Sequence, residues 1–325
     1  MNPWLRLAGT SLVAGLALAA ATASAQDYPA KPIRLIVPFP ASGATDLLAR
    51  AIAQKVGANM GQQIVVDNRP GAGGAIGSDM AAKAAPDGYT LLIATTSTHS
   101  IGPHIQTRLP YNAKTDFTPI GQVAIATNVL LVSNALPVKS VKELIDHAKA
   151  HPGQLNYASS GNGTVVHLTA EAFATQAGIS MTHIPYRGTA LSIPDLISNK
   201  VQVLFDSIVS GLPHVKDGKL KALAVTSEKR SPLAPDLPTV SESGLPGFVS
   251  DTWFGIYGPK NMPADIVKRL NAEFNKAIAA PEVRERLAKL GAEPVGGTPA
   301  QFATLVSQDS ARWARLIKER NITAD

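Results

Sequence analysis

Short apolar runs alternate along this chain with longer stretches in which apolar positions recur at helical spacing. Residues 33–37 read as a buried strand. Leu47, Leu48, Ala51, Ile52 and Val56 then share one helical face, with Arg50, Gln54 and Lys55 elsewhere. Further strands are predicted at residues 64–66 and 91–94, and the helix between them opens in a glycine-rich stretch. Residues 129–132 start a second series. There Ser140-Val141-Lys142-Glu143 forms a capping box for a helix that stops at Pro152-Gly153. Strands are predicted near residues 156–159, 181–186, 201–205 and 220–225, and a proline-rich connection over 231–246 leads to an extended segment through Trp253 and Tyr257. The end is helical: Pro281 suits a first turn, Gly291 lies past the last, and Thr298-Pro299-Ala300-Gln301 makes another capping box. Strand–helix alternation predicts α/β domains with mostly parallel sheets. No tandem repeat appears, but PFPASGATDLLARAIAQ (residues 38–54) and YASSGNGTVVHLTAEAFA (residues 157–174) echo one another as strand end, Gly/Ser-rich turn and amphipathic helix.

The first 25 residues do not fit this alternation. Arg6 is their only charge, an apolar run covers residues 12–21, and Ala23-Ser24-Ala25 precedes Gln26. Basic, apolar, then small residues is the order of a secretory signal peptide cleaved after Ala25. The run falls short of the ~20 residues that span a bilayer. Export is therefore expected, and no later stretch is apolar enough for a membrane span.

Composition narrows the chemistry. The length of 325 residues suits two packed cores, and 45% hydrophobic against 17% charged residues excludes a disordered chain. With no cysteine there is no disulfide, thiolate nucleophile or Cys-ligated metal. A net charge of +6 is too small and too dispersed to point to nucleic acid, and fits the attraction of small anions.

A Gly/Ser-rich turn that opens a helix exposes free backbone N–H groups where the helix dipole adds partial positive charge. Ser42, Gly43, Ala44 and Thr45 fit that description, with Phe39 beside them. Asp46 in the first turn complements the dipole and caps its own helix. The second such turn runs over residues 159–164, with Ser159, Ser160, Gly163 and Thr164. A ligand with a carboxylate at each end would meet one helix terminus per domain. His167 follows on the first helical turn. Thr96 and Ser97, Arg187, and Asp206 each follow a predicted strand, where α/β crevices open. Gly71-Ala72-Gly73-Gly74-Ala75-Ile76-Gly77 fails the G-x-G-x-x-G register and reads as a tight structural turn, and no P-loop exists. The seven histidines show no metal-ligand spacing. No cofactor is expected. Ser160, His167 and Asp206 could be drawn as a hydrolytic triad, but no G-x-S-x-G elbow supports it.

The chain from Tyr28 onward resembles the substrate-binding receptors of tripartite tricarboxylate transporters, the Bug family of periplasmic proteins. The segments that carry this are YPAKPIRLIVPFPASGATD (28–46), VVDNRPGAGGAIGSDMAAKAAPDGYTL (65–91), LPYNAKTDFTPIGQV (109–123), LNYASSGNGTVVHL (155–168), HIPYRGTALSIPDLI (183–197), DLPTVSESGLPGF (236–248) and WFGIYGP (253–259). The resemblance implies an α/β two-lobed periplasmic binding protein fold of type II, with mixed sheets flanked by helices and a ligand cleft between lobes. The crossings would fall near residues 126–128 and 250–252. Lobe 1 is then 27–126 plus 251–325, and lobe 2 is 127–250. It also implies a non-enzymatic receptor that closes on a small mono- or dicarboxylate, aliphatic or aromatic, using residues 38–46 and 159–164 with bridging water. Its partners would be integral-membrane transporter subunits. Position 42, where the family usually has a second glycine, is serine here. The alternatives are a secreted serine hydrolase using Ser160 and His167, or a sensory receptor for the same ligands.

Overall fold

The computed structural model describes residues 28–323, so the signal peptide and its cleavage point lie outside the described residues. The chain divides into two units, Met1–Ala30 and Lys31–Asp325, and every element below belongs to the second. Strand β1 (Ile33–Val37) leads through a turn into α1 (Ala44–Met60), followed by β2 (Ile64–Asn68), α2 (Ala75–Ala82) and β3 (Thr90–Thr95). A π-helical turn (Thr96–Ile101) runs into the short α3 (Gly102–Ile105), and then come β4 (Phe117–Ala126), β5 (Asn128–Ser133) and α4 (Val141–Ala150). Next are β6 (Asn156–Ser159), α5 (Val165–Ala177), β7 (Thr182–Pro185), α6 (Ile193–Ile197), β8 (Val203–Ser207), α7 (Ile208–Lys216) and β9 (Leu220–Val225). The chain closes with β10 (Thr252–Pro259), α8 (Ala264–Ala279), α9 (Pro281–Lys289), β11 (Ala292–Pro294) and α10 (Pro299–Arg320).

Local chemistry explains the boundaries. Helix α1 buries Leu48, Ala49, Ala51, Ile52, Ala53 and Val56 on one side and stops where Gly61 turns left-handed at φ 69°. Ser140 caps α4 by accepting the Glu143 N–H, and Thr298 with Gln301 closes a reciprocal capping box on α10.

Two sheets result. The first has the order β11-β4-β10-β3-β1-β2, the second β7-β6-β8-β5-β9. In the first, β1 pairs in parallel with β2 and β3, while β10 is antiparallel to both β3 and β4. In the second, β6 is parallel to β7 and β8, while β5 is antiparallel to both β8 and β9. The sheets are therefore mixed rather than mostly parallel. One cause is shared: in each, a strand from the stretch of chain that passes between the sheets is inserted antiparallel, and in the first β11 adds another antiparallel strand at the edge beside β4. β10 returns to the first sheet only after the second is complete. β5 enters the second sheet directly after β4 leaves the first.

This shared plan accounts for the echo between the two Gly/Ser-rich turns. Each follows a strand flanked on both sides by strands that come later in the chain, β1 between β2 and β3 in one sheet and β6 between β7 and β8 in the other. The chain there proceeds to one side and later to the other, so loops diverge and a crevice opens at the strand ends.

The cores lie against these sheets. Ile36, Leu92, Tyr111, Phe117, Trp253, Tyr257 and Phe302 pack together in the first. The Phe302 ring sits so close over Gly255 that a methyl there would fall 2.0 Å from its Cζ. In the second, α4 and α5 bring Leu144, Ala148, Ala170 and Phe173 onto Leu130, Val132, Tyr157 and Phe205. A third cluster joins Val129, Leu131, Val165, Leu168, Leu204 and Ile208 to Ile101, Ile105, Trp313 and Ile317. Apolar packing thus continues from the second sheet onto the π-turn, α3 and α10.

Candidate functional site

The turn after β1 is held from behind by one buried carboxylate. Asp46, 3% exposed, accepts the Ser42 N–H at 2.9 Å, the Arg50 Nε at 3.1 Å and the Asn68 Nδ2 at 3.1 Å. Asn68 Nδ2 also reaches the Phe39 carbonyl, and Arg50 Nη2 donates to Asn68 Oδ1. Burial pushes the Asp46 carboxyl upward in pKa. Hydrogen bonds from Arg50, the Ser42 amide and Asn68 together outweigh that, leaving it below the usual range. The anchor holds Ser42 at φ 65°, a left-handed conformation unusual for a residue with a Cβ. Ser42→Gly is therefore expected to raise stability by about 0.5–1 kcal/mol in thermal or urea melts.

The N-cap of α1 is Gly43, which supplies no side-chain cap. Its first-turn amides are left for solvent or a ligand.

The turn after β6 is built differently, because its donors are already engaged. Thr164 caps α5 by accepting the His167 N–H, and its own hydroxyl donates to the Gly161 carbonyl at 2.8 Å. The Gly161 N–H donates to Ser159 Oγ at 3.1 Å, and the Gly163 N–H donates to His167 Nδ1 at 3.2 Å. The Val165 N–H donates to Ser97 Oγ at 2.9 Å, tying α5 to the π-turn. Behind the turn the His167 and His183 rings stack with centroids 4.0 Å apart, and Tyr157 stacks on His183 at 4.8 Å. Ser159 Oγ and His183 Nε2 share a 2.6 Å hydrogen bond, and the Tyr157 hydroxyl donates to Glu171. Burial, with His183 adding to it, lowers the His167 pKa to about 3, and burial lowers that of His183 to about 4. Both rings are neutral at neutral pH.

Between the two turns lies a cleft of about 760 Å³. One wall is Pro38, Phe39 and Pro40 with the 70–74 segment and Gln106. The other is Ser160, Gly161 and Asn162 with Pro185, Tyr186, Arg187 and Gly188. A second hollow of about 740 Å³, formed by α1, residues 61–66 and Arg286, shares no lining residue with it.

Of the residues singled out from sequence, Phe39, Ser160 and Arg187 line the cleft. Ser42, Gly43, Ala44 and Thr45 lead from its Pro38–Phe39–Pro40 wall into α1, and Asp46 props them. Ser159, Gly163, Thr164 and His167 form the frame of the second turn. Thr96 is fully buried, and its hydroxyl accepts the Trp253 N–H at 3.1 Å. Ser97 is taken up by Val165. Asp206 caps α7, accepting the Ser207 N–H at 2.8 Å and the Ser210 hydroxyl at 2.7 Å. Burial raises its pKa despite these bonds. The hydrolytic triad is not assembled, because His167 Nδ1 serves Gly163 and the Asp206 carboxylate is taken up by Ser207, Ser210 and Thr189.

The glycine-rich segment, expected from sequence to be a tight structural turn, forms one, and it also borders the cleft. Gly71, Ala72, Gly73 and Gly74 all have positive φ and line the cleft. A Cβ on Gly73 would lie 3.2 Å from Gln106 Nε2 and 3.3 Å from the Asn162 carbonyl, so two chain segments converge on bare backbone there. The usable signal was the spacing of four glycines just beyond a strand end. Among the described residues no group of His, Asp or Glu could hold a metal, and no helix is long and apolar enough to cross a membrane.

Residues 48–322 match the family model described as tripartite tricarboxylate transporter family receptor. The chain is 37% identical to Protein BugT of Bordetella pertussis, covering 98% of both chains. Among solved structures, Rpa4515 of R. palustris with adipate superposes with a TM-score of 0.88 at 36% identity, covering 91% of this chain and 99% of that one. MatC of Rhodopseudomonas palustris with bound malate gives 0.83 at 32%, covering 89% and 100%. The fold is thus that of two-lobed periplasmic binding proteins, and this family and these neighbours are substrate-binding receptors, not enzymes. With its sheet order, its paired turns and this match over most of its length, the chain belongs to the tripartite tricarboxylate transporter family of receptors.

Proposed function

We propose that this protein is an exported receptor that traps a small carboxylate in the cleft and delivers it to an integral-membrane tripartite transporter. Residues 1–25 would be removed on export, after Ala25, leaving the receptor in the periplasm. Lobe 1 comprises 27–126 with 251–325 and lobe 2 comprises 127–250. The end of β4 at Ala126, the start of β5 at Asn128 and the start of β10 at Thr252 support these crossings. Closure about them shifts toward the loaded form by the cargo's higher affinity for it.

The observation that carries this reading is the uncapped amino end of α1 beside a cleft lined by no carboxylate. The amides of Gly43, Ala44 and Thr45 and the hydroxyls of Ser42 and Thr45 hold the anion, with Phe39 against its carbon chain. Across the cleft Ser160 adds a hydroxyl, and water bridges the remainder. Ser159, Gly163, Thr164 and His167 set the shape of that second turn. Asp46 positions the first, Thr96 and Ser97 brace the π-turn, and Asp206 braces α7.

Titration calorimetry with aliphatic and aromatic mono- and dicarboxylates, run beside ester and amide hydrolysis assays, tests the proposal. Binding without consumption is the expected result. Failure of every carboxylate to bind, or turnover abolished by Ser160→Ala, would overturn it.

A further inference from the structure

The six residues after β3 coil as a π-helix, a wide turn that is rare in proteins and concentrates at functional sites. It is built around Ser97, whose carbonyl accepts the N–H of Gly102, five residues on. A methyl on Gly102 would lie 3.1 Å from that carbonyl oxygen, so the widened turn packs closely on itself. The Ser97 hydroxyl accepts the Val165 N–H at 2.9 Å, across a separation of 68 residues. Beside it, the Thr96 hydroxyl accepts the amide of Trp253, just past the returning crossing.

The Val165 donor has a particular place. Val165 is the first residue of α5, whose N-cap Thr164 already serves the His167 N–H. Its amide is among those that a helix start leaves without an internal acceptor. On the proposed division, a hydroxyl of lobe 1 therefore occupies the amino end of a lobe 2 helix, where a cargo oxygen would otherwise fit. Apolar contacts surround the bond. Ile101 and Ile105, from the π-turn and α3, share a buried cluster with Val165 and Leu168. Gly163 presents bare backbone to Ile105, since a methyl there would fall 2.9 Å from its Cγ2. Ser97 and Val165 are both buried, so water does not compete for their bond while the lobes stay together.

We propose that Ser97 is a positioning residue, a clasp that draws the β6–α5 turn of lobe 2 onto lobe 1 and holds part of the empty receptor closed. This rests on the receptor reading and deepens it. Opening gives the Val165 N–H to water, so the clasp is modest and both forms stay accessible. A receptor already biased toward closure binds every cargo more tightly by the same factor, because affinity scales with the population of the competent form. Ser97 thus tunes affinity without touching cargo and without choosing between cargoes.

The chain has no cysteine, so two introduced thiols carry spin labels without side reactions. Ile76, 50% exposed beyond the 70–74 wall, and Leu191, 61% exposed beyond Gly188, belong to opposite lobes of the proposed division. With Ile76→Cys and Leu191→Cys labelled, the interlobe distance in the empty protein is expected to lengthen and broaden on Ser97→Ala. It is expected to return with Ser97→Thr, which keeps the oxygen. Calorimetry on unlabelled protein with adipate, malate and benzoate is expected to show Ser97→Ala weakened by about 3–10-fold, equally for each that binds. An unchanged distance in the empty variant, or an unchanged affinity, would overturn the proposal, and a lowered melting temperature alongside would make Ser97 a purely structural brace. A loss confined to one carboxylate would also overturn it, since Ser97 would then be a cargo contact. Failure of all three to bind wild type would count against the receptor reading, while the distance in the empty protein would still decide the clasp.

Discussion

Replacing Asp46 with alanine is expected to destabilise the protein by about 2–3 kcal/mol and to weaken carboxylate binding by about tenfold or more. The carboxylate is nearly fully buried and joins four parts of the molecule: the Ser42 amide, Arg50 on α1, and through Asn68 both β2 and the Phe39 carbonyl. Without it the left-handed Ser42 has no internal acceptor for its N–H, and the turn loses the strut that aims the amino end of α1. The pH dependence follows from the lowered pKa. The folded state binds fewer protons than the unfolded one below the ordinary carboxyl value of 3.8. The contribution is thus complete above that pH and is lost as pH falls through the folded pKa. Urea melts should show a wide gap between wild type and variant at pH 7, narrowing in acid. A variant that melts lower but binds carboxylates as before would show that the backbone alone holds the turn.

At the crossings the sign is reversed, and Asp251→Asn is expected to stabilise the protein by about 2–3 kcal/mol at pH 8. Asp251 accepts the Thr127 hydroxyl at 3.0 Å, so it bridges the outgoing and returning strands. Burial pushes its pKa up to about 6, with Glu293 and Glu228 adding to the rise and Thr127 and Arg312 opposing it. An acid whose folded pKa lies above its unfolded value of 3.8 holds its proton longer in the folded state. Stability therefore falls as pH rises from about 4 to about 6 and stays at the lower level above that. Asparagine keeps the acceptor oxygen for Thr127 without the buried charge. Melting curves should show the variant several degrees higher at pH 8 and level with wild type at pH 4. An equal difference at both pH values would assign the effect to packing.

Much of the local structure was legible because its causes are local. The strand–turn–helix units around residues 33–60 and 156–177 follow from apolar spacing, a Gly/Ser-rich turn and the N-cap role of Thr164. The Thr298–Gln301 capping box and the Ser140 cap follow from side chains three residues apart, whereas the Glu143 carboxylate accepts the Lys139 N–H instead of closing the box expected with Ser140. The mixed sheets were not legible by the same means. β10 pairs with Thr95 and Ala126, residues more than a hundred positions earlier, and nothing within its own eight residues states that partner or its direction. The 292–294 strand, paired to β4, is similarly decided at a distance.

For the site, the division is between residue type and residue employment. From sequence alone come the two donor-rich turns, the arginine after β7, the absence of thiol chemistry and, through the resemblance of its segments, the family. Those depend on composition and short-range geometry. Only the tertiary structure decided which donors stay open. Helix α1 has no cap, whereas the second turn spends its amides on Ser159, His167 and Ser97. It also decided that Gly71–74 lines the cleft and that Thr96 and Asp206 serve the scaffold. A hydrogen-bonding group satisfied by a neighbour sixty residues away looks the same in the sequence as one left free, because satisfaction is a property of what folding brings alongside it.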